Sequence, residues 1–120
     1  MLRVSHETIN DIRNADPISS ILESGKKICL YFGEASSKLR ERGLLNIVLW
    51  DGDIAFGLSL TELESIITTV KFQEIMPKPN KSEIVGITMH GRIIRLQHWE
   101  GFRTEIDVDT MKTVGQQYTK

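Results

Sequence analysis

The sequence predicts an α+β fold: an antiparallel β-sheet of about six short strands, with one main helix and helices in the amino-terminal segment. Three observations carry this. Short strand-like runs lie at residues 26–32, 44–50 and 54–59, and again at 84–90, 92–99 and 102–108. Tight-turn residues, Asp51-Gly52, Gly91 and Glu100-Gly101, close the gaps between them. Between the two groups the apolar period changes from two to helical spacing at Leu63, Ile66, Ile67 and Val70. A chain of 120 residues fits one domain, 1–120, divided into a helical segment 1–25, a strand-and-helix unit 26–72 and a three-stranded meander 80–110.

The elements follow in order. Ser5 and Thr8 open a weak helix through Arg13, with Ile9 and Ile12 on one side. Asp16 as cap and Pro17 at the first helical position restart the chain as a second helix, with Ile18, Ile21 and Leu22 as its stripe. Gly25 stands where a helix end favours positive φ. Lys26–Phe32 reads as the first strand. Residues 34–43 are charged and read as a loop or a short helix. Leu44–Trp50 turns through Asp51-Gly52 into Ile54–Ser59, where Ile54, Phe56 and Leu58 alternate with Ala55, Gly57 and Ser59. Ser59 with Glu62 makes a capping box, and Leu58 with Leu63 a hydrophobic staple, for a helix ending near Phe72. Pro77-Lys78-Pro79 reads as an extended link, and the polar tail from Gly115 as fraying.

Composition narrows the function. Fifteen Lys plus Arg against 16 Asp plus Glu leave a net charge of −1, so any basic surface must be local. One cysteine, Cys29, permits no internal disulfide. Without an apolar run of transmembrane length or an export signal, the expectation is a cytoplasmic protein that makes no membrane contact. His6, His90 and His98 lack metal-pair spacing, and Asp51 and Asp53 sit in a turn where Asp serves the backbone. No phosphate loop or nucleophile motif is visible. The expectation is therefore no catalytic residue, no metal and no cofactor, with a small enzyme the least favoured reading.

Strand parity suggests a binding face. Arg95, Gln97 and Trp99 point opposite to Ile94 and Leu96; Lys27, Cys29 and Tyr31 share a side, as do Asn46, Val48 and Trp50. Joined in one sheet, Tyr31, Trp50 and Trp99 would stack unpaired bases among Lys27, Arg95 and Arg103. Lys38, Arg40 and Arg42 would add phosphate contacts. Glu105 and Asp107 oppose this if they share that face. The expected partner is thus single-stranded DNA or RNA. The alternative is a protein-interaction adaptor using strand edges and the hairpin tip at Met89. Exposed edges also predict self-association, as a homodimer.

Two resemblances accompany these patterns. Gly57, Leu58, Ser59, Leu60, Thr61 and Glu64, after strands from Lys26, resemble the positive cofactor four and Whirly single-stranded DNA-binding fold over residues 26–72. That implies a dimer binding unpaired DNA through basic and aromatic residues on curved sheets. Glu64, Ile66, Ile67, Pro77, Pro79, Gly86, Gly91 and Arg92 are similar to the CheW-type coupling domain over residues 46–108, with departures at Thr88 and His90. That implies a non-catalytic adaptor between a receptor and a kinase.

Overall fold

The computed structural model describes residues 1–59, 83–98 and 102–118. At its centre lies a strand, Leu44–Asp51, whose residues Leu44 to Leu49 are all buried. A nearly continuous apolar run suits a strand covered on both faces. It occupies the middle of a five-stranded antiparallel sheet. In chain order the strands are β1 (Leu2–Arg3), β2 (Ser19–Glu23), β3 (Lys26–Leu30), β4 (Leu44–Asp51) and β5 (Ile54–Ser59); in space they run β1-β5-β4-β3-β2.

Alternation sends the two sides of this sheet to different cores. Ile28, Leu30, Leu45, Ile47, Leu49 and Leu58 face a second antiparallel sheet. That sheet comprises β6 (Ile84–His90), β7 (Ile93–His98), β8 (Phe102–Asp107) and β9 (Lys112–Tyr118), paired in sequence order. It contributes Ile84, Ile94, Leu96, Ile106 and Val108. Cys29, Tyr31, Leu44, Val48 and Ala55 face two helices, α1 (His6–Ile12) and α2 (Glu34–Glu41), which bring Ile9, Ile12, Ala35 and Leu39. Ser5 caps α1, its hydroxyl accepting from the Thr8 amide at 3.3 Å. The result is three layers: helices, five-stranded sheet, four-stranded sheet.

One buried side chain fastens the layers. Asn46 Nδ2 donates to the carbonyls of Tyr31 at 3.0 Å and Ile84 at 2.8 Å, and its Oδ1 accepts from the Ile84 amide at 2.9 Å. A side-chain amide here does what a neighbouring strand would do, and so fixes where β6 begins.

The α+β class holds, with more strand than expected: nine strands and two helices among the described residues. The second amino-terminal helix is replaced by β2. Ser24 and Gly25 adopt φ of 53° and 75°, and Glu23 pairs with Lys26 across them. Two successive positive φ values are the signature of a hairpin turn that matches strand twist, so Ile21 turns to the core and Leu22 to the other side. Residues 34–41, open between loop and helix, form α2. The polar tail does not fray at Gly115, because β9 pairs with β8 as far as Tyr118. The capped helix after Ser59, the proline-containing link and Trp99 lie outside the described residues.

Candidate interaction site

The side chains expected to bind nucleic acid fall into three separate places. Lys27 and Trp50 are direct cross-strand partners, and Tyr31 shares their face, as parity predicts. That face, however, is the one the helices cover. Tyr31 is 3% exposed and its hydroxyl accepts from Trp50 Nε1 at 3.1 Å, so its ring offers no platform for a base. Burial pushes the Tyr31 hydroxyl up to about 12 and raises the Cys29 thiol as well. Beside them a cleft of about 500 Å³ opens between the end of α1 and the β4–β5 turn, lined by Arg13, Pro17, Lys27, Tyr31, Trp50 and Asp53 among others.

Lys38, Arg40 and Arg42 lie at the second place, on and just after α2. Lys38 pairs with Glu34 at 3.5 Å, and Arg42 with Glu7 at 3.2 Å and Asp11 at 3.6 Å, which ties α2 to α1. Arg95 and Arg103 lie at the third place, on the face of the four-stranded sheet turned away from the core. There Glu105 sits 3.9 Å from Arg95 and 3.6 Å from Arg103. A carboxylate directly across the ladder from Arg95 offsets the charge that a phosphate would need. The helix-side cleft and this outer face are separated by the whole sandwich, so no single surface unites these residues.

The buried histidine does not suit acid–base chemistry. His98 Nε2 is 2.8 Å from Thr104 Oγ1, and burial lowers its pKa to about 3. Among the described residues no group of three or more His, Cys, Asp or Glu could hold a metal ion.

The sheet edges differ sharply from one another. β1 is two residues long. β6 carries a register shift between Ile84 and Gly86, and the β8–β9 pairing carries one between Glu105 and Ile106. Shortness and bulges are the devices that protect an edge against foreign strands. β2 has neither: its register runs unbroken from Ser19 opposite Leu30 to Glu23 opposite Lys26. The Tyr31 amide bonds to Asn46 in β4, so the alternate residues of β3 (Lys26, Ile28, Leu30) are those that turn their backbone to β2. Their partners Ser19, Ile21 and Glu23 face inward along the sheet, leaving the N–H and C=O groups of Ser20 and Leu22 aimed outward. The edge is also apolar. Ile18 and Leu22 are 63% and 74% exposed, the highest values among the large hydrophobic side chains described. Sequence periodicity had placed both on the buried stripe of a helix, which hid this edge.

Comparison with protein-family models, with curated proteins and with solved structures returns no match. Among the described residues no helix is long and apolar enough to cross a membrane.

Proposed function

We propose that this chain is a non-catalytic protein-interaction module that pairs an extended segment of a partner chain with the outer edge of β2. The observation that carries the reading is the contrast between edges: among the described edge strands, β2 alone is longer than two residues, keeps an unbroken register and exposes a large apolar side chain, Leu22. Strand addition draws affinity from main-chain hydrogen bonds and specificity from alternate side chains. Outward-facing Ser20 and Leu22 supply the former, and the cleft beside Lys27 and Trp50 lies on the same side as Leu22. The nucleic-acid reading would need Tyr31 exposed and Arg95 and Arg103 free of Glu105.

Selection from a displayed library of random peptides tests this. Peptides enriched on the wild-type chain should be extended and alternately apolar, and should bind Leu22→Lys at least about tenfold more weakly. Binders indifferent to Leu22→Lys, or none at all, would reject the β2 edge. Oligonucleotide binding that weakens steeply with salt and is lost in Lys27→Glu would instead return the nucleic-acid reading.

A further inference from the structure

Resting on that reading of β2, we infer that the segment it receives is β2 of a second copy, antiparallel about a two-fold axis through Ile21. Self-pairing of a strand requires one register to satisfy hydrogen bonding, size and charge together, and β2 meets all three. Full overlap of Ser19–Glu23 with its symmetry copy sets Ser20 opposite Leu22 of the copy, and Leu22 opposite Ser20. These are the two residues whose backbone groups point outward, so the register of greatest overlap is also one in which both pairs exchange bonds. A shift by one residue would set outward-facing groups against inward-facing ones and lose them.

Side-chain sizes follow the same pattern. Ser20 and Leu22, one small and one large, lie on one side of the strand. In the two-fold register Leu22 stands opposite Ser20 of the copy. Leu22 is then diagonal to Leu22 of the copy, which covers the most exposed of the large apolar side chains described. On the other side Ile21 meets itself at the axis. Glu23, the one charged residue of β2, lies opposite Ser19 of the copy, so no like charges face each other. The two five-stranded sheets would become one continuous sheet, and both β2 edges would disappear.

Sedimentation equilibrium of the full chain from about 5 to 500 µM tests this. The wild type should pass from monomer to dimer. Leu22→Lys and Ser20→Pro should raise the dimer dissociation constant at least tenfold while keeping the native circular dichroism spectrum. Ser20→Pro removes an outward N–H and spares the ladder to β3. Ile21→Cys supplies an independent readout. A central non-hydrogen-bonded pair brings α-carbons to about 4.5 Å, within disulfide reach, so it should cross-link on mild oxidation, whereas Ser19→Cys should not. A monomeric mass throughout, or a dimer that ignores Leu22→Lys and gives no cross-link at Ile21→Cys, would overturn the inference. If the chain is monomeric but selected peptides still depend on Leu22, only the second copy is wrong. If neither dimer nor peptides depend on Leu22, the β2 edge is wrong as well.

Discussion

His98 shows how far burial alone sets chemistry in this molecule. Its imidazole stays neutral when folded, with a pKa near 3 against 6.5 as the ordinary value. Between those values the unfolded chain binds the proton that the folded chain refuses. Stability is therefore full above pH 6.5 and falls as pH drops toward 3. Each pH unit crossed removes about 1.4 kcal/mol, so roughly 2 kcal/mol should be gone by pH 5. Urea midpoints at pH 7.5 and pH 5 measure this, and His98→Gln should flatten the difference; an unchanged slope in the variant would assign it elsewhere. Cys29 makes the companion case. Buried at 2% exposure and with its thiol pKa raised, it should react with aromatic disulfide reagents only as fast as the chain opens. Rapid labelling in native buffer would contradict that burial.

At the scale of elements, the β2–β3 hairpin decides where the partner edge lies. Its turn residues Ser24 and Gly25 both have positive φ. Glycine accepts this freely, while a side chain there is strained even though the space around Gly25 is open. Gly25→Ala should cost about 1 kcal/mol. Ser24→Asn should stabilise by a few tenths of a kcal/mol, because Asn-Gly is the favoured pair for such turns. Thermal melts of both variants give the two signs, and equal effects would remove the turn from the account. The same hairpin explains what the sequence could and could not reveal. Strands at 26–30, 44–51, 54–59, 84–90, 93–98 and 102–107 were legible because alternation and turn glycines agreed there. Residues 17–25 were not, since Ile18, Ile21, Leu22 and Gly25 satisfy a helix template as well as a strand template. Only pairing with Lys26–Leu30, a tertiary fact, separates the two. β9 was hidden for a different reason: its sequence, KTVGQQY, is mostly polar and shows no apolar alternation, and the strand lies at a sheet edge. The candidate site was least legible of all. Aromatic and basic residues can be picked out by type, but an unprotected edge is defined by the neighbour a strand lacks.

At the scale of the whole molecule, stability depends on three layers that share one sheet, and Asn46 is where their coupling can be tested. It sits in β4, is 1% exposed, and supplies three hydrogen bonds, two of them to β6. Asn46→Leu keeps comparable volume but leaves the Ile84 amide and two carbonyls buried without their partner. That should cost about 3 kcal/mol, since each unsatisfied buried group costs roughly 1–3 kcal/mol. Asn46→Asp should be worse at neutral pH, because it sets a carboxylate against the carbonyls that Nδ2 now serves, and milder at low pH where the acid can donate. Hydrogen exchange separates a local effect from a global one. If Asn46 only trims the start of β6, protection should fall near Ile84 alone. If it fastens the sheets, amides of β3 and of β7 and β8 should lose protection together and by similar amounts, because the core the two sheets share opens as one unit. The second outcome is expected: the apolar residues of β6, β7 and β8 belong to the same buried cluster as those of β3, β4 and β5, so neither sheet keeps that core when the other leaves.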